Sequence, residues 1–390
     1  MKQVLILMLV LVPLALMSIS LTDYTNPVSF GREAFLNGNF NFHDGNQDQA
    51  SYNGLFGGNY LVYYNSLPFN WKVEGDVNLT LMQDSYEGAE SETGYMVTLG
   101  ANADKYINDT NIFGYGSLDL GYRKQMAMDD ADDPYVKIGI GGGYGRVIDA
   151  TVLARAMRIV NELIKYNVIR GELSNSAYIE LGQIIEKKGE YITKYGSVEY
   201  QKYWYEAMED VFNKEGVLRD GSLHALGIVR LQEVLDQRIS TRRYGWTARA
   251  GVGYILSAYD GSDPDPTLDA SFEYAHPFSY KLQFIEALDF STVLGEDPVH
   301  HIMNQASLTY ELTSLIDWEN KLSTSIDMPT IEGAENIISN TLETAFYYYI
   351  TNKVNLNTSL KFHMYDDGID DNGNDDLETT FFLGASYRLK

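Results

Sequence analysis

Charged side chains recur at even spacing along several segments, as in Lys72, Glu74 and Asp76, or Glu319, Lys321 and Asp327. Asp119 with Arg123 and Asp269 with Glu273 keep an even spacing, and Lys137, Arg249, Lys281, Glu311, Glu343, Lys361 and Arg388 occupy comparable polar faces. Acids and bases mixed along one face can line a hydrated passage with charged constrictions. They can also pair with one another and close it, as in small barrels. The spacing leaves both outcomes open.

Other chemistry finds little support. His300 and His301 are adjacent, so on a strand they point to opposite faces and make a poor metal pair. The acidic runs Asp84–Glu92, Asp129–Asp133, Asp260–Asp265 and Asp366–Asp376 lack the spacing of a calcium loop and read as solvated loops. Gly141-Gly142-Gly143 lacks the spacing and the following acid of a dinucleotide fingerprint, and no serine stands in a nucleophile elbow. We expect no enzyme, no cofactor and no metal.

Composition narrows the class. The 390 residues hold no cysteine, which removes thiolate chemistry and disulfide staples. A net charge of −25 argues against nucleic acid, whose phosphates call for Lys and Arg. At the start, Lys2, the apolar run Val4–Met17 and the small residues Ser18-Ile19-Ser20 read as a secretory signal peptide over 1–20. The run is short of the roughly 20 residues of a spanning helix. A membrane reading therefore has to come from strands.

The polar faces described above belong to segments that alternate with period two. In Trp71–Leu81, Trp71, Val73, Val77, Leu79 and Leu81 oppose Lys72, Glu74, Asp76, Asn78 and Thr80. Trp318–Met328 and Val354–Met364 repeat the pattern. About fourteen such segments are expected, near 34–42, 54–64, 69–82, 93–105, 111–124, 134–146, 243–258, 266–276, 278–294, 299–313, 317–328, 338–350, 354–365 and 377–389. Many exceed the roughly 9–11 residues of a tilted transmembrane strand. Connections after the second, fourth, eighth, tenth and twelfth are short, and most others are longer and polar, the asymmetry of turns on one side and loops on the other. Trp71, Trp246 and Trp318 then begin rising strands on the apolar face, where an aromatic girdle with Tyr387 is expected.

On these features the chain resembles the bacterial outer-membrane β-barrel proteins, a porin-like class. Gly384, Tyr387 and Leu389 look like the C-terminal signal read by barrel-assembly machinery, although Lys390 departs from its usual apolar or aromatic end. The resemblance implies an all-β transmembrane antiparallel up-and-down β-barrel, embedded in outer-membrane lipid. It implies strands over 34–146 and 243–390, after a periplasmic segment at 21–33.

Between 147 and 242 the period shifts toward 3.6. Val152, Leu153, Ala156, Ile159, Val160, Leu163 and Ile164 form a stripe behind Asp149 as N-cap. Ser174 and Ser197 are further caps, and helices are expected near 175–194, 198–215 and 222–240. Parity places this four-helix insert on the periplasmic side, either hanging below the barrel or folded into its lumen. Gly139, Gly141, Gly143 and Gly145, with Gly245, Gly251 and Gly253, make an inward wall without side chains that would admit another backbone. The alternative is that they only let the barrel bend.

The expected function is a passive channel for small solutes, gated or tethered by the periplasmic helices. The alternative is a structural or assembly protein, with the helices binding a periplasmic partner through 147–242 and the barrel as anchor.

Overall fold

The computed structural model describes residues 19–25, 28–46, 48–108, 110–126, 130–295, 297–351, 354–369 and 376–388. The signal-peptide reading of 1–18, part of the loops 129–133 and 366–376, and Leu389 fall outside them.

Fourteen antiparallel strands close into one barrel: β1 (Ser29–His43), β2 (Ser51–Asn65), β3 (Phe69–Gln83), β4 (Glu92–Tyr106), β5 (Ile112–Lys124), β6 (Tyr135–Asp149), β7 (Arg243–Ser257), β8 (Asp265–Pro277), β9 (Leu282–Val293), β10 (Val299–Thr313), β11 (Ile316–Pro329), β12 (Ile337–Tyr349), β13 (Val354–Asp366) and β14 (Glu378–Arg388). Each strand pairs with its neighbours in the chain. The seam closes where Phe35–Gly38 of β1 meet Ala385–Arg388 of β14. Closure leaves no edge strand exposed, so the backbone groups are satisfied within the wall.

The alternation decides the two faces. Val97, Ile138, Ile140, Val252, Leu322, Leu342 and Leu383 are exposed on the outside although they are apolar. Trp246, Trp318 and Tyr387 lie on the same face near the end that carries the short turns, and Trp71 shares the register of exposed Val77. Trp246 contacts Tyr144 and Phe272, and Trp318 stacks on Phe346, so the rings form neighbouring pairs along a rim.

Between β6 and β7 stand α1 (Thr151–Lys165), α2 (Asn175–Glu186), α3 (Lys188–Lys214) and α4 (His224–Asp236). The stripe expected on α1 is the core of this unit: Leu153, Ala156, Ile159, Val160 and Leu163 are fully buried with Leu181, Met208 and Phe212. Asp149 lies one residue ahead of the N-cap, Ala150, and its Oδ1 accepts from the Thr151 amide at 2.8 Å. Ser174 caps α2 through the Ala177 amide. The expected helix over 175–194 breaks earlier, at Lys187, whereas the helix start expected at Ser197 is met. It follows a kink inside α3, where Gly196 takes a positive φ of 79° that a Cβ would disfavour. The expected segment at 21–33 is also corrected: β1 begins at Ser29, and Leu21 and Tyr24 are buried in the helical core.

Candidate functional site

A cavity of about 750 Å³ opens inside the barrel against β2–β10. Lys72, Glu74, Asp119, Lys137, Arg249, Asp269 and Glu273 all line it, so the even spacing seen along separate strands converges on one space. Asp76 lines a second hollow beside it with Asp119, and Lys361 and Glu343 line a third between β12, β13 and β14. Glu319 and Lys321 share the inward register of Glu343, which pairs opposite Lys321. Asp327 meets His301 nearer the loop end, and Arg123 lies over the Tyr259 ring there. Lys281 stands elsewhere. It precedes β9 in a four-residue turn tightened by Ser279, and lies outside the wall strands. The backbone of Arg388 closes the seam with Phe35.

Inside the cavity the bases are neutralised by the wall. Lys137 meets Asp269 at 2.6 Å, Arg243 meets Glu273 at 2.7 Å, and Lys72 meets Glu74 at 2.7 Å. Arg249 of β7 reaches Asp104 of β4 at 2.9 Å, passing over the Phe113 ring. Asp104 is a lining residue that the charge reading passed over. Its only signal is the parity it shares with Asn102 on β4.

The glycines of β6 and β7 explain that reach. A Cβ on Gly141 would stand 2.4 Å from the Ala250 carbonyl and 2.6 Å from the Tyr115 ring; one on Gly143 would stand 2.3 Å from the Phe113 ring. The bare wall is filled by the inward rings of β5 and by close approach of β6 and β7. Among the described residues no helix occupies it.

The helical unit instead meets the barrel at the turn end, where Arg158 of α1 reaches Glu311 of β10. Asp149 accepts from the Tyr63 hydroxyl at 2.8 Å, and Arg146 donates to the carbonyls of Ser66 and Leu67 in the β2–β3 turn. On the opposite arc, residues 237–242 run from α4 to β7 as a strap along the mouth. Arg238 lies over the rings of Phe35 and Tyr349, Ser240 donates to Asp317 at 2.7 Å, and the Arg242 Nε donates to the Tyr280 carbonyl at 3.0 Å. Glu311, expected as a lumen residue, is the centre of this latch. One carboxylate receives Arg158 of α1, Arg242 at 3.0 Å and the Ser240 amide at 3.1 Å. A register shift between Glu311 and Thr313 bends the end of β10 at this point.

Arg242 is fully buried. Burial pulls its guanidinium down to about 10, Arg158 adds to the fall, and Asp317 opposes it, so it remains charged near neutrality. Burial lowers Arg158 too. Two buried cations on one carboxylate are costly to separate from it. Neither arginine stood out in the sequence, because α1 and the strap carry ordinary helix and loop composition.

Among the described residues no group of three His, Asp or Glu side chains is placed to hold a metal ion. His300 packs against Phe290 while His301 turns to Asp327, as adjacent strand residues must.

No family model matches the chain, and no curated protein matches it. Among solved structures it is similar to CdiB from Escherichia coli, with 7% identity and a TM-score of 0.41 over 94% of this chain and 69% of that one. It is also similar to the COG4313 outer membrane channel from Pseudomonas putida F1, with 8% identity, a TM-score of 0.33, and 95% and 98% coverage. A third is the CymD monoaromatic hydrocarbon channel, with 9% identity, a TM-score of 0.30, and 94% and 90% coverage. Likeness at this level leaves the chain's own geometry to decide its function.

Proposed function

We propose that the chain is a porin-like passive channel of an outer membrane, with the helical unit on the periplasmic mouth as its cover. The observation that carries this is the pairing of opposites across one wall. A cavity of about 750 Å³ lined by acidic and basic side chains lies inside strands whose outer face exposes Val97, Ile138, Ile140, Val252 and Leu322. Water suits the first surface and lipid the second. Solute crosses by diffusion, and no covalent step is involved. The Glu311 latch holds the strap against the mouth, which favours gating over simple tethering.

Single-channel conductance tests this on the refolded protein with and without residues 150–241. Current in both forms supports an open pore with a tethered helical unit. Current only after deletion makes the unit a cover, the outcome expected here. Silence in both forms rejects the channel.

One observation favours an anchor that presents the helices to a periplasmic partner. Val198, beside the Gly196 kink, is 85% exposed on a unit that already has its own closed core. Under that reading, silence in both forms is the expected result.

A further inference from the structure

We propose that the lumen passes cations in preference to anions, an inference that rests on the channel reading. Seven carboxylates line the main cavity (Glu74, Asp104, Asp119, Asp149, Asp269, Glu273 and Asp289) against four bases. The distribution matters more than the surplus of three. All four bases, Lys72, Lys137, Arg243 and Arg249, are held by wall carboxylates at 2.6–2.9 Å. Asp149 is occupied by the Tyr63 hydroxyl and the Thr151 amide, neither of which cancels its charge. Asp119 and Asp289 have no base within ion-pair distance among the described residues. A mobile anion entering this space meets only bases already engaged. A mobile cation meets carboxylates that lack a counterion.

The sign therefore follows from the pairing. A lumen with four free bases and seven free acids would present both charges to a passing ion. Here the wall satisfies the four cations that line the cavity, and the field left in that space is negative. Low-dielectric walls focus such a field and raise the local counterion concentration. No dedicated ion-binding geometry is needed. The solute class is small cations, with zwitterions presenting their amine ahead of neutral solutes and anions.

Two measurements test this on the full-length chain. The first is the reversal potential under a potassium chloride gradient near 0.1 M, where charges are screened beyond about 10 Å. The Glu311→Gln form, whose strap is released, is the conducting background, since the covered wild type is expected to be silent. The permeability ratio of potassium to chloride is expected to exceed one by about threefold. It should fall toward one in Asp119→Asn/Asp289→Asn and rise in Lys72→Gln, which frees Glu74. Opposite shifts in two variants cannot come from general damage to the barrel. A ratio at or below one in the released-strap form overturns the proposal.

The second uses the absence of cysteine. Ser271 lines the cavity and pairs in register with Arg249 and Asp289, so Ser271→Cys places one thiol at the site. Cationic and anionic methanethiosulfonates, each normalised to a free thiol, are expected to differ about tenfold in favour of the cation. Faster anionic labelling overturns the proposal. Cationic labelling without current in either strap form rejects the channel reading while supporting the negative lumen.

Discussion

Arg249 of β7 and Asp104 of β4 form an ion pair at 2.9 Å across two intervening strands. The guanidinium crosses above Phe113, and the Phe113 ring takes the space that a Cβ on Gly143 would need. Gly143→Val is therefore expected to lift that ring, break the pair and destabilise the barrel by about 1–3 kcal/mol through overpacking. Gly142 faces outward, and its added Cβ would meet nothing closer than 3.6 Å. Gly142→Val should be tolerated. Folded-form migration after heating and the urea midpoint distinguish the two, and equal loss would show that the glycines serve bending alone.

Glu311→Gln removes the charge shared by Arg158 and Arg242. Removing one partner of a buried pair costs about 3–5 kcal/mol, since the remaining charge stays desolvated. The strap is expected to lift, so amides of residues 237–242 should exchange faster and current should rise. Lys165→Ala, which breaks the exposed pair with Glu162, should change neither by a measurable amount. Unchanged exchange in the Glu311 variant would show that the strap is held by the Ser240–Asp317 bond and the Arg238 ring contacts instead.

The barrel was legible in the sequence because period two is a local property. Trp71–Leu81 declares its two faces without reference to any other strand, and the short connections after alternate strands orient the whole wall. The glycines of β6 were visible too, but two explanations fitted them until the Phe113 and Tyr115 rings were in place. The latch was not legible. Arg158 and Glu311 are 153 residues apart, and only closure of the barrel brings α1 over the end of β10. Asp104 was missed for the same reason, since its partner lies 145 residues away. The break at Lys187 was missed because a polar, tyrosine-rich stretch gives helix boundaries few apolar markers, whereas the boundary at Gly196–Ser197 was marked by the serine cap.

Leu322→Arg should hinder insertion by about 2–4 kcal/mol, because the residue is exposed on the apolar outer face. The same change at Ser323, on the inward register opposite Thr341, should be accepted. Leu79→Arg against Asn78→Arg repeats the contrast on β3. Refolding yield into vesicles checks both pairs. Matching yields within a pair would reverse the assignment of faces.

The helical unit should lose stability in alkali through the Tyr205 phenol. Burial, then the charge of Asp236, then Tyr200, push the Tyr205 phenol from its ordinary value near 10 up to about 12. A raised folded value means that the unfolded chain releases this proton first as pH climbs. The contribution of Tyr205 is thus complete below about 10 and is lost progressively up to about 12. Tyr205→Phe removes the titration and should flatten the fall in helix-unit stability across that window. The readout is the helical signal during urea unfolding at a series of pH values. A wild-type curve as flat as that of the variant would mean that the phenol ionises as freely in the folded unit as in the unfolded chain.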